Sequence, residues 1–231
     1  MQRLPDEREM LEFVRSTLHE TQLHEPPNAN RFFFRDRFLH TLRVVGWVKR
    51  LCAAEKCNER LTVIAAIFHD SGYDQRNSDE HPIMGERICR SYMHQHGFEL
   101  DDINAVCSMV RQHSYKKRPA DGLSMELRVL MDADLLDELG LTIIMWDAMD
   151  EGHRNQGGYY SVLERVKQAY ARLKKLLPTL KTDTGRAEYE KGLKVLESAI
   201  ERLEYELNTD YVKDILHAER LSAVEVAART N

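Results

Sequence analysis

The stretch Leu61-Thr62-Val63-Ile64-Ala65-Ala66-Ile67-Phe68-His69-Asp70 is almost wholly apolar until it stops on an imidazole and a carboxylate. Burying these two groups at the end of a hydrophobic segment is costly unless something compensates them. A divalent metal compensates both at once. The pair has company on either side. His40 lies upstream in Arg37-Phe38-Leu39-His40-Thr41-Leu42-Arg43-Val44. Downstream come His81 in His81-Pro82-Ile83-Met84-Gly85, His113 in Gln112-His113-Ser114, and Asp134 in Met131-Asp132-Ala133-Asp134-Leu135-Leu136.

Around these residues apolar side chains recur at three- and four-residue steps, and strand-length alternation is nearly absent. The pattern predicts helices over residues 6–20, 32–56, 58–70, 81–96, 101–113 and 124–138. Asn58 and Ser124 are N-cap residues in this reading, Asp101-Asp102 is a cap, and Gly72 is a stop signal. Every member of the His/Asp set then falls on or at the end of a helix. We therefore expect an all-α bundle with the six residues facing a central cleft.

The last third differs. Leu163, Val166, Tyr170, Leu173 and Leu177 form one seam, and Tyr189, Leu193, Leu196, Ile200, Leu203 and Leu207 form another. Two such seams around the Pro178–Gly185 loop predict an antiparallel helical hairpin. The division expected is a helical domain over 1–155 and a hairpin over 156–231, packed on that domain or on a second subunit, which would make a homodimer. A final helix is expected over 209–229, carrying His217. The polar stretch Glu151–Tyr159 is expected to be a linker loop.

Bulk composition narrows the function. The 231 residues carry a net charge of -5, with 42% hydrophobic and 31% charged residues. That balance fits a globular protein and argues against a dedicated nucleic-acid binder. No apolar run reaches membrane-spanning length, and the charged start Met1–Met10 lacks a signal-peptide core. Cys52, Cys57, Cys89 and Cys107 contain no Cys-x-x-Cys spacing and are expected as reduced core thiols of a cytoplasmic protein.

Neutral imidazole and carboxylate suit Mn, Fe, Ni, Zn or Mg rather than a thiolate-seeking metal. Six ligands overfill one small ion that must also hold water and substrate, so the set has room for two ions. Asp70 is the natural bridge. His40, His69 and Asp134 would complete one centre, and His81 and His113 the other. Water held by such ions loses a proton near neutral pH, and the same ions neutralise phosphoryl charge during in-line attack. This is the chemistry of phosphoester or phosphoanhydride hydrolysis, and the partner expected is a small phosphorylated molecule, most naturally a nucleotide.

The order His, His-Asp, His, His, Asp resembles the HD-domain superfamily of metal-dependent phosphohydrolases. The resemblance rests on five separated segments between about residues 32 and 150: His40-Thr41-Leu42-Arg43-Val44, Phe68-His69-Asp70-Ser71-Gly72-Tyr73, His81-Pro82-Ile83-Met84-Gly85, Gln112-His113-Ser114-Tyr115 and Asp132-Ala133-Asp134-Leu135-Leu136-Asp137. It implies an HD-domain helical bundle in which His40, His69, Asp70 and Asp134 form the minimal metal set. His81 and His113 match the extra positions of two-metal members, or act on substrate in one-metal members. Asp134 is selected over Asp132, which would lie behind the metal ligands or on the helix surface. The Gly-Tyr-Pro segment of the cyclic di-GMP phosphodiesterase branch is missing, and Ser114-Tyr115-Lys116-Lys117-Arg118-Pro119 stands there instead.

Other residues are expected to assist. Arg43, one helical step from His40, can reach the site carboxylates or a phosphate, or form a structural salt bridge. Asp74 is a candidate general base. Lys116 and Lys117 are candidates for a polyphosphate tail. His19, His24, His94, His96, His153 and His217 have no partner context. Two further functional classes share the pattern: a di-iron oxygenase built on the same ligands, and a non-enzymatic scaffold that keeps the fold.

Overall fold

The computed structural model describes residues 3–23, 36–74, 79–154 and 158–207. Among them are nine α-helices and no strand, so the chain is all-α. The helices are α1 (Glu7–Leu23), α2 (Arg37–Glu55), α3 (Glu59–Phe68), α4 (His81–Gln95), α5 (Leu100–Gln112), α6 (Met125–Asp137), α7 (Leu141–Arg154), α8 (Tyr159–Lys174) and α9 (Asp183–Leu207). A 3-10 turn, Leu177–Thr179, sits between the last two. No helix among the described residues is long and apolar enough to cross a membrane.

Helix α3 is the axis of the bundle. Every residue from Thr62 to Phe68 is buried, as expected of a helix apolar on all sides. Helices α1, α2, α4, α5 and α6 all pack against it. Its start is fixed by Asn58, whose side chain accepts from Leu61 N at 3.2 Å. Ser124 caps α6 in the same way, through Leu127 N at 3.2 Å. Helix α5 starts earlier than Asp101-Asp102: its N-cap is Glu99, and the two aspartates lie in its first turn, where they complement the helix dipole.

Two expectations change. Cys52 and Cys57 form a disulfide; only Cys89 and Cys107 are free, and both are buried. The reason is local. Lys56 ends α2 in the left-handed region at φ 55°, and that reversal brings the two cysteine Cα atoms to 5.1 Å. The cysteines therefore do not argue for a reducing compartment. The expected loop at 151–159 is helical at its start, because α7 runs through Arg154. Glu151 is buried there and pairs with Arg165 at 3.3 Å, beside Asp147 and Asp150. The expected helix over 209–229 lies outside the described residues.

The hairpin forms as read. Tyr189 is fully buried and donates its hydroxyl to Leu173 O at 3.0 Å, tying α9 to α8. It packs on its own chain, α8 against α7 and α9 against α6, α2 and α7. Asp132, fully buried on α6, makes the tightest link. Its carboxylate accepts from Lys181 N at 2.8 Å, Thr182 N at 2.8 Å and the Thr182 hydroxyl at 2.8 Å. Asp132 is thus the anchor for the approach to α9, and not a helix-surface residue. Glu55 at the end of α2 accepts from Thr184 N at 2.8 Å, and Lys181 Nζ donates to Lys116 O at 2.6 Å. The hairpin holds both α2 and the Lys116 loop.

Removing a buried acceptor of this kind leaves its donors without partners. Asp132→Ala is expected to lower unfolding free energy by about 2–4 kcal/mol, read from urea denaturation. An unchanged midpoint would show that the hairpin docks by apolar contact alone.

Candidate metal centre

The six expected residues converge. His40 comes from α2, His69 and Asp70 from the turn after α3, His81 from the first residue of α4, His113 from the C-cap of α5, and Asp134 from α6. Asp70 stands in the middle. Its Oδ2 lies 3.6 Å from both His40 Nε2 and His69 Nε2. Its Oδ1 lies 3.3 Å from His81 Nε2 and 3.6 Å from His113 Nε2. Asp134 Oδ1 closes the first lobe, 3.2 Å from His40 Nε2 and 4.0 Å from His69 Nε2. The ligand atoms of His40, His69 and Asp134 lie within 4.8 Å of one another, as do those of His69, Asp70 and His113.

The outer ring nitrogens say which atoms face inward. His69 Nδ1 lies 2.7 Å from Ala66 O, and His113 Nδ1 lies 2.6 Å from Val110 O. A carbonyl can only accept, so both Nδ1 atoms carry the proton. The inward Nε2 of the neutral ring is then a bare lone pair. In His69, burial lowers the imidazole pKa to about 4 despite Asp70 and Asp134, so the ring is neutral. Its lone pair faces His40 Nε2 at 3.1 Å and, farther off, the Asp70 and Asp134 oxygens, a convergence of nitrogen and oxygen atoms that suits a cation. In the second lobe His81 Nε2 and His113 Nε2 approach to 3.2 Å, the mutual approach of two ligands aimed at one ion. The donor set fits a divalent metal.

His40 differs. Burial opposes its charge, but Asp134 and Asp137 outweigh that and push it up to about 10. Its Nδ1 bonds Asp137 Oδ2 at 2.7 Å. Burial likewise opposes charge on Asp70, yet the cations around it, Arg37 and His40 among them, hold its carboxyl well below the usual carboxylate range. Asp134 is held down similarly, against burial, by Lys116 and His40.

Two contributors escaped the sequence reading. Arg37 Nη1 donates to Asp70 Oδ2 at 2.9 Å, with its guanidinium 3.9 Å above the Tyr73 ring. Asp137 links His40 to Arg43. Both stand three residues from a recognised ligand on its own helix, Arg37 before His40 and Asp137 after Asp134, and that i±3 spacing is the signal that could have found them.

The expected helpers separate. Arg43 donates to Asp137 through Nε at 2.6 Å and Nη2 at 2.9 Å; it supports His40 from behind and does not meet Asp70 or Asp134. Lys116 reaches Asp134 Oδ2 at 2.5 Å and Met131 O at 3.2 Å. Lys117 is exposed, and Arg118 turns to Gln112 Oε1 at 2.6 Å. Asp74 is half-buried just past the turn that ends at Tyr73.

Gly72 acts by close approach and not only as a helix stop. A Cβ there would fall 2.6 Å from Met84 Cβ and 2.7 Å from His81 O, and would collide with Gly85 N. Gly85 in turn sits under the His69 and Phe68 carbonyls, its virtual Cβ 3.2 Å from each. The turn bearing His69-Asp70 therefore lies backbone to backbone on the helix bearing His81. Support from outside matters as well. Asp137→Ala is expected to weaken metal binding about 10- to 100-fold, by titration calorimetry with Mn²⁺; undiminished affinity would show that packing alone orients His40.

Comparison with known proteins agrees with this fold. The HD domain family matches residues 37–139. Among solved structures, Bacillus subtilis YpgQ in complex with ADP superposes with a TM-score of 0.62 at 21% identity, over 87% of this chain and 98% of that one. A "predicted HD superfamily hydrolase" from an uncultured Thermotogales bacterium gives 0.57 at 21% identity, over 87% of this chain and 92% of that one. An HD-superfamily hydrolase from Bacillus thuringiensis gives 0.58 at 18%, over 87% and 100%. At these identities the likeness is one of fold. No protein of curated function matches the chain in sequence. Five helical segments bring the six residues together in the expected order, and residues 37–139 of this chain, which contain all six, match the HD domain family.

Proposed function

We propose that the chain is a metal-dependent phosphohydrolase acting on a small phosphorylated molecule, a nucleotide by preference. The observation that carries this reading is the position of Asp70, one oxygen turned to each of two imidazole-lined lobes. His40, His69 and Asp134 would hold a divalent ion in the first lobe, and His81 and His113 one in the second, with Asp70 shared. Such ions acidify bound water and neutralise charge on phosphoryl oxygens. When one ion binds, His81 and His113 act on the substrate or fix a water instead.

The chain's own cations complete the site. Arg37 and Lys116 lie on Asp70 and Asp134. A metal on those carboxylates takes over that neutralisation and leaves both side chains to bind phosphate oxygens. Arg37 offers a planar pair of donors and Lys116 a point charge. Asp74 is the general base of this reading, four residues beyond the shared carboxylate. A nucleotide is supported by the fold shared with YpgQ, a protein whose structure contains ADP.

Protein purified without chelators, with its metal counted and a nucleotide and aryl-phosphate panel applied, tests the reading. His69→Ala and Asp70→Ala are expected to lose both metal and phosphate release. Phosphate release by metal-free variants would refute it, as would oxygen uptake with two irons and no phosphatase activity. Lys116→Ala is expected to raise KM about tenfold or more, the worth of one charged hydrogen bond of ~1.5–3 kcal/mol, with metal content unchanged.

A further inference from the structure

Beside Asp137, on the flank of the metal centre, α2 and the end of α6 line a cavity of about 350 Å³. That is within the size range of small-molecule sites. Arg43, Trp47 and Arg50 lie along its α2 wall, and Leu136, Leu139 and Thr142 line it from the other side. The Arg50 guanidinium lies over the Trp47 ring, 4.8 Å from its centre, so indole and cation form one stacking surface. Among the described residues no carboxylate pairs with Arg50. The charge of Asp137 is already met by Arg43 and by His40 Nδ1, which leaves Arg50 as the unmatched charge of the cavity.

Gly46 is the second observation. It lies in the interior of α2, where glycine destabilises a helix relative to alanine. Packing does not demand it, since a Cβ added there would meet nothing within 4 Å. Nor does it adopt a positive φ. It also lines the cavity, and its missing side chain leaves the space beside Trp47 open.

We propose that this cavity binds an anion carrying a planar ring, the chemistry of a nucleoside monophosphate, and that its occupancy is felt at the metal centre through Arg43, Asp137 and His40. The ring stacks against Trp47 and Arg50. The anionic group takes donors from Arg50 and Arg43. Each hydrogen bond that Arg43 gives the ligand changes its hold on Asp137, whose Oδ2, shared with Arg43 Nη2, fixes the His40 ring 2.7 Å away. Coupling of two sites is reciprocal, so metal in turn alters ligand affinity. The binding half of the proposal is independent of the hydrolase reading.

AMP is the probe. In a Trp146→Phe background Trp47 is the sole tryptophan, and AMP is expected to change its fluorescence saturably. Arg50→Ala is expected to weaken that binding at least tenfold. Gly46→Met, which favours the helix and fills the cavity, is expected to abolish it without loss of thermal stability. Asp70→Asn is expected to leave it in place. Equal affinity in Arg50→Ala and Gly46→Met, or loss in Asp70→Asn alone, would place AMP in the metal centre and overturn the proposal. Calorimetry on the chain with both tryptophans gives the same comparison if Trp146→Phe folds poorly. Saturating AMP is expected to shift Mn²⁺ affinity at least threefold; an unmoved Mn²⁺ affinity overturns the coupling.

Discussion

The structure depends on one electrostatic constraint: the Asp70 carboxylate is 3% exposed and stays ionised. An isolated charge at that depth is prohibitive, so the fold surrounds it with groups that share its field. Arg37 bonds one oxygen, and imidazoles from four different segments approach within 3.6 Å. None of these alone suffices. His69 is kept neutral by the burial that makes Asp70 need a counter-charge. Stability alone does not account for this conflict, because apolar side chains of similar volume are often as stable as a buried charged cluster or more so.

The rest of the fold keeps these groups from relaxing away from one another. Asp137 and Arg43 hold His40 from behind. Carbonyls of α3 and α5 hold His69 and His113 by their outer nitrogens. The hairpin, which carries none of the six ligands, reaches the site through main-chain and side-chain bonds. Asp132 clamps the approach to α9, Glu55 accepts from its first turn, and Lys181 holds the carbonyl of Lys116. An element that looks like an appendage by its heptad pattern thus braces the helix bearing Asp134 and the loop bearing Lys116.

The fold class and the six inward residues were legible because they leave short-range marks. Apolar steps of three and four show the helices, and a polar pair at the end of the wholly apolar α3 shows the site. Contacts between distant segments left weaker marks. Asp137 is an ordinary polar residue until its helix is laid beside α2. Arg43 shares a face with His40, and only the crossing of α2 with α6 shows that it stops at Asp137. The Lys116–Arg118 run divides three ways because the loop turns between its members. The Cys52–Cys57 bond depends on one left-handed residue, Lys56, whose side chain does not announce that conformation.

The Gly72–Gly85 contact has a consequence for the spacing of the two lobes. Because the turn that carries Asp70 rests on the α4 backbone without intervening side chains, main-chain contact sets its distance from His81. Side chains can change rotamer to suit an ion of different radius, but two apposed backbones cannot separate without opening the core. Were divalent ions of different radius to occupy the lobes, their side chains would adjust while the gap between the lobes stayed constant. In this centre the choice of ion would rest with the side chains, and the gauge between the lobes is a property of the main chain.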